Sequence, residues 1–286
     1  MPIIRLSSIR VLVASIFLWA AGFTAVRAES PPNPLKVDID LSKPFNTQTP
    51  WRFVATQEPA VFEPVDPDLV GLASFPKDYK GAYLPGLIHL CLQPDPTAPC
   101  DPLVAMQAPP PLPADAWAPH YLKHAEVVYA RSGNKFPLFL LQAASSRSTD
   151  GNQAVFTKLL VYDEAKQRFR LAYAHDTGRN NNEEDRFITS GPLQGSVVSV
   201  EPTANVPFAY WVSVLRPGPG FAYKQVLRYR SSTHYLDGNK LAVIDSEMPN
   251  IQLRLGLWHP GMALPLPAAP SSCPNPHLVK GALWCA

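Results

Sequence analysis

Between Lys123 and Met248 apolar and β-branched residues gather into short runs separated by turn residues. Glu126 to Ala130, Pro137 to Ala144, Ala154 to Tyr162 and Phe169 to Tyr173 form one group of such runs, with the polar loop Asp163 to Arg168 at hairpin length between the last two. Gly195 to Val200, Ala209 to Leu215, Ala222 to Arg230 and Leu241 to Asp245 form a second group, in which Pro217-Gly218-Pro219-Gly220 supplies a turn. No stretch repeats apolar residues at i, i+3 and i+4 over ten positions, so no helix is expected. The pattern predicts an all-β fold: an antiparallel sandwich, barrel or meander over residues 120–250. No clean repeat supports a propeller or solenoid.

The chain carries 33 prolines, dense before residue 120 and after residue 259. Proline cannot donate to a strand ladder or sit inside a helix, so Pro-rich N- and C-terminal arms are expected on either side of the β core. Residues 29–119 read as irregular with short strands at Trp51 to Thr56 and Gly86 to Leu92. Residues 108–119 read as a linker of polyproline character. The tail, residues 251–286, is expected to pack on the core, because Leu257, Trp258, Leu264, Leu266 and Trp284 are costly to expose.

Residues 1–28 have the three parts of a signal peptide. Arg5 and Arg10 open it, Val11 to Phe23 is an apolar run, and Val26-Arg27-Ala28 offers small residues at a cleavage point. The run is short for a bilayer span, and no later stretch is long enough for one. The mature protein is therefore expected to be secreted or periplasmic, with no integral membrane span.

Cleavage after Ala28 also reverses the sign of the charge. The full chain is +2, but Arg5, Arg10 and Arg27 leave with the signal and no acid does, so 22 basic residues face 23 acidic ones and the net is −1. No basic block is left to neutralise phosphates, which argues against a nucleic-acid partner. In an oxidising compartment Cys91, Cys100, Cys273 and Cys285 are expected to form disulfides, each cysteine pairing with its neighbour across a proline-containing loop. The spacings do not suit zinc, and no cofactor is expected.

The densest chemistry lies between Arg228 and Glu247. Asp237-Gly238 suits a type I′ hairpin turn, which places Arg230 opposite Asp245 and Arg228 opposite Glu247. Moving the turn by one residue pairs Arg230 with Glu247 instead. Either register keeps Arg228, Arg230, His234, Asp245 and Glu247 on one face, with Tyr235 beside them. The plain interpretation is a solvated face of cross-strand ion pairs. The sharper one is a pocket in which Arg228, Arg230, His234 and Tyr235 hold an anion or sugar, and Asp245 or Glu247 acts as acid or base.

A second acidic stretch, His175 to Asp185, offers Asp176, Asn180, Asn182 and Glu183 as oxygen ligands for calcium. Its spacing departs from an EF-hand, and turn residues in a solvated loop explain it equally. His120 and His124 stand at i, i+4 but precede a predicted strand, which does not bring them to one metal. No nucleophile elbow, zinc-protease motif or phosphate-binding glycine loop is present. The expected class is an exported binding or structural module engaging an unidentified ligand or envelope component. The alternative is a secreted hydrolase built on the carboxylates and arginines of 228–247.

Overall fold

The computed structural model describes residues 33–64, 80–106, 108, 111, 117–133, 135–147, 152–178, 182–267 and 273–285. The expected signal peptide, most of the 108–119 linker and Asn180 lie outside the described residues. The fold is nearly all β, in several antiparallel sheets, none of which closes into a barrel.

The N-terminal part holds β1 (Lys36–Asp40), a one-turn helix α1 (Ser42–Phe45), β2 (Arg52–Gln57), β3 (Val61–Pro64), β4 (Gly81–Leu84) and β5 (Ile88–Gln93). Strands β1, β2 and β5 form one antiparallel sheet, and β3 pairs with β4 as a separate ribbon. This region is more ordered than its prolines suggest: Leu41, Phe53, Ala55 and Leu92 are fully buried. The prolines fall mostly between the strands, so the ladders lose few donors.

The central sheet runs β6 (Pro119–Arg131), β7 (Lys135–Ser145), β8 (Val155–Asp163) and β9 (Arg168–Thr177) in meander order. A second four-stranded meander follows, β10 (Glu184–Phe187), β11 (Val197–Pro202), β12 (Ala209–Pro217) and β13 (Tyr223–His234). The chain then forms helix α2 (Val243–Arg254) and ends in the hairpin β14 (Pro276–Val279) and β15 (Ala282–Cys285).

These pieces stack as layers. One face of the central sheet, through Phe139, Leu141, Phe156, Leu160 and Phe169, packs on Phe53, Leu92 and Trp51 of the N-terminal layer. Its other face, through Val128, Leu138, Leu140, Leu159 and Tyr173, packs on Phe187, Val197 and Leu215 of the second meander. The far side of that meander, through Val198, Tyr210, Val212 and Tyr229, is covered by Val243, Ile244 and Ile251 of α2. A sheet buried on both faces needs apolar residues at nearly every position, which explains the run from Pro137 to Leu141 and on through Ala143 and Ala144, while Gln142 between them is satisfied by Thr157 and the Asp185 carbonyl.

Pairing between β8 and β9 steps from Leu160↔Leu171 to Leu159↔Tyr173, so Ala172 is an extra residue, a β-bulge. Before the bulge Phe169 and Leu171 face the N-terminal layer. After it Tyr173 and His175 face the second meander, while Ala174 and Asp176 face the N-terminal side.

The disulfides are the local ones expected. Cys91–Cys100 clips the loop after β5, and Cys273–Cys285 closes the C-terminal hairpin. That hairpin packs on α2: the carbonyl of Leu283 accepts from Ser246 Oγ at 3.2 Å and Asn239 Nδ2 at 2.9 Å.

The expected strand Leu241 to Asp245 and its hairpin are not formed; the segment begins α2. A type I′ turn needs positive φ at both central residues. Gly238 has it (φ 86°), but the other such residue nearby is Leu236 (φ 63°), not Asp237. Asp237 instead accepts the backbone N–H groups of His234 and Asn239, and Asn239 accepts that of Leu241. These consecutive side-chain turns carry the chain away from β13 and into the helix. Asp245 in the first turn and Arg254 in the last suit the helix dipole, and Pro249 removes one internal N–H.

Candidate functional site

The helix separates the charged residues that sequence alternation placed on one face. Arg228 and Arg230 lie on the face of β13 that looks toward the central sheet, whereas Asp245 and Glu247 lie on α2 behind the opposite face. Asp245 Oδ1 accepts from Arg186 Nη1 at 2.7 Å, and Arg186 also bonds Glu184 at 2.6 Å. Glu247 is 0% exposed. It accepts from the hydroxyls of Tyr229 (2.9 Å), Ser232 (3.2 Å) and Thr233 (2.7 Å), from the Thr233 backbone N–H (3.0 Å) and from Asn250 Nδ2 (3.0 Å). Burial and the adjacent Glu247 carboxylate push the Tyr229 phenol above its ordinary range. With its oxygens saturated by donors, Glu247 joins helix to sheet and has no open approach for a substrate.

The remaining members of that set also disperse. Arg230 Nη2 donates to the carbonyl of Pro207 at 2.8 Å. His234 Nδ1 is buried without a hydrogen-bond partner among the described residues. Tyr235 borders a small, mainly apolar hollow of about 230 Å³ with Phe208 and Tyr210.

Arg228 enters a different constellation. Between β9 and the strands β11 to β13 the two sheets part, leaving a cleft of about 380 Å³. Tyr173, His175, Ser199, Glu201, Tyr223 and Arg228 line it. Behind two of these lining residues, Tyr173 and His175, stands Asp185 of β10, whose side chain is 0% exposed. Tyr173 donates its hydroxyl to Asp185 Oδ2 at 2.8 Å, and His175 Nδ1 lies 2.9 Å from the same oxygen. On the opposite edge of the imidazole, Nε2 lies 3.1 Å from Glu201 Oε1.

Glu201 Oε2 in turn lies 3.7 Å from Arg228, whose guanidinium sits over the Trp211 ring at 5.1 Å. The hydrogen bond to Asp185 is the main cause that raises the His175 pKa, with the Asp185 and Glu201 charges adding to it against burial. Burial and the Asp185 charge push the Tyr173 phenol upward. His175 is thus an imidazole fixed from behind by a buried acid that favours its protonated form. Glu201, 42% exposed at its side chain, spans the gap between that imidazole and Arg228.

The described calcium candidates, Asp176, Asn182 and Glu183, do not converge. Asp176 faces the other side of β9, where desolvation raises its pKa. Asn182 donates from Nδ2 to the Tyr210 hydroxyl at 3.3 Å, and Glu183 accepts the Gly178 N–H at 2.6 Å. Among the described residues no group of three or more His, Cys, Asp or Glu side chains is placed to hold a metal. His120 and His124 stand on strand β6 and bond the Pro85 carbonyl and Glu126 respectively.

On the N-terminal-layer side of β9 lies a second hollow, of about 410 Å³. Leu103, Met106, Trp117, Phe156 and Leu171 form its apolar walls. Lys158 at its rim donates to the carbonyls of Leu103 and Ala105 at 2.8 and 2.7 Å, and burial lowers its pKa. Both hollows share Ala174 and His175.

Sequence reasoning found Arg228 in this arrangement but not Tyr173, Glu201 or the role of Asp185. It had His175 and Asp185 in one polar loop, whereas β9 continues to Thr177 and β10 starts at Glu184. The period-two alternation of β9, followed past Tyr173, was the available signal. Compared with protein families, curated proteins and solved structures, the chain matches none of them.

Proposed function

We propose that this chain is an exported binding module that takes a carboxylate-bearing ligand in the cleft at His175 and Arg228. The observation that carries the reading is the place of Glu201. Its half-exposed carboxylate spans two cationic donors that are themselves held from behind, His175 by Asp185 and Arg228 by the Trp211 ring. A ligand carboxylate that displaces Glu201 meets a ready pair of charge-assisted donors. The cleft volume lies within the range of small-molecule sites.

Export is supported by the signal-like N-terminus and the two disulfides, which persist in oxidising compartments. Among the described residues no helix is long and apolar enough to cross a membrane. The test is calorimetric titration with glucuronate against glucose. Binding of glucuronate but not glucose, lost in Arg228→Gln and retained in Asp245→Asn, supports the reading. Absence of glucuronate binding overturns it.

A hydrolytic reading rests on the Asp185–His175 pair, since a buried acid on Nδ1 leaves Nε2 facing the cleft as a general base does. Its partner there is Glu201 rather than a hydroxyl or thiol nucleophile, so the binding reading is preferred. Any turnover of an ester or glycoside probe that disappears in His175→Gln would reverse that preference.

A further inference from the structure

We infer that the ligand is an extended peptide that adds to the central sheet as a strand beside β9, placing one acidic and one apolar side chain in the two hollows that flank it. The inference rests on the cleft being the binding site. Strand β9 is the edge of its sheet, and among the described residues its backbone hydrogen bonds run only to β8. The bulge at Ala172 lies at one end, and from Tyr173 to Thr177 the register with β8 is regular. Such an unpaired edge is the template that strand addition uses.

The two hollows make this edge specific for a peptide. They lie on opposite faces of the same strand and share Ala174 and His175. Consecutive side chains of an added strand also point to opposite faces. A residue entering the cleft therefore has a neighbour entering the hollow walled by Met106, Trp117 and Phe156. The chemistry of the walls assigns the pair. His175 and Arg228 take a carboxylate in place of Glu201. The other hollow takes an aliphatic or aromatic side chain, with Lys158 and Asp176 at its rim. Backbone bonds to β9 supply affinity independent of sequence, and the two hollows supply selectivity.

The test uses the full mature chain and a bead-displayed library of free hexapeptides, with glucuronate titrated in parallel. Selected peptides are expected to share an Asp or Glu next to an apolar residue. Methylating the backbone nitrogens of one alternate set of residues should weaken binding at least tenfold, while methylating the other set leaves it within twofold, because only one set of N–H groups faces β9. Arg228→Gln should remove the preference for the acid while keeping that for the apolar neighbour.

Tolerance of methylation in both sets, or selected peptides without the acidic–apolar pair, overturns the inference. If no peptide binds but glucuronate binds with dependence on Arg228, the inference falls and the cleft remains the ligand site. If neither binds, both fall.

Discussion

Tyr229, on the inner side of β13, donates its hydroxyl across 2.9 Å to Glu247 in the middle of α2. The carboxylate has no salt-bridge partner among the described residues and is held by neutral donors from three residues of β13 and by Asn250. Glu247 is thus a main fastening between α2 and β13, beside the Arg186–Asp245 pair at the start of the helix. Glu247→Ala should strand the Thr233 N–H and the Tyr229 hydroxyl and lower unfolding free energy by about 3 kcal/mol. Urea unfolding checks this, and a change below about 1 kcal/mol would contradict the role.

The second prediction concerns pH. In the folded chain the bond from Asp185 raises the His175 pKa above the ordinary value of about 6.5. A raised value means that the native state binds the proton more tightly than the unfolded one does. Stability from this pair is fully present below about pH 6.5 and is lost as pH rises through the folded value. His175→Gln should remove that component. Melting temperatures from pH 5 to 9 should show the gap between wild type and variant narrowing as pH rises, and a constant gap would refute the linkage.

Arg186 joins Glu184 and Asp245, so it ties an edge strand to the first turn of α2. Asp245→Asn should cost about 1 kcal/mol through loss of one charge-assisted bond. It should leave glucuronate affinity unchanged, because Asp245 and the cleft lie on opposite faces of the second meander. A tenfold loss of affinity in a folded Asp245→Asn protein would place Asp245 in the site after all.

The C-terminal disulfide spans a sequence separation of 12 residues. Loop closure of that size predicts a loss of about 3 kcal/mol in the Cys273→Ser, Cys285→Ser double variant. The consequence should spread beyond the hairpin, since Leu283 accepts from Asn239 and Ser246 beside the helix. Amide exchange in α2 should quicken in the double variant, whereas exchange in β7 and β8 should not change until global unfolding.

Seven of the eight strands of the two meanders were legible because each alternates or runs apolar over much of its length, from Phe139 and Leu141 to Val212 and Val214, whereas β10, which opens Glu-Asp-Arg, read as a polar loop. Helix α2 was not legible. Leu241-Ala-Val-Ile looks like a strand, Pro249 argues against a helix, and three of the positions that face inward are Ser246, Glu247 and Gln252. Those polar residues can be buried only because β13 and the C-terminal hairpin offer partners, a fact absent from local pattern. The N-terminal layer was obscured in a similar way: prolines dominate its composition, but Trp51, Phe53 and Leu92 bury themselves against a sheet far along the chain. The cleft was half visible. Arg228 stood out as a charged residue on a strand and His175 only as the start of a polar loop, while their link through Glu201 and Asp185 depends on which sheet faces cross.

The bulge at Ala172 decides which side chains of β9 reach the cleft. With an uninterrupted ladder, the parity set by Phe169 and Leu171 would continue, and His175 would point at the N-terminal layer while Ala174 and Asp176 entered the cleft. The imidazole would be replaced by a carboxylate facing Asp185 and Glu201, and the cleft would repel the anionic ligand proposed for it. The charge of the cleft is thus set by strand register as much as by residue identity. Alanine carries no chemistry at position 172, yet if it took a regular place in the ladder opposite Leu159 the polarity of the cleft would invert while every side chain that defines it remained in the sequence.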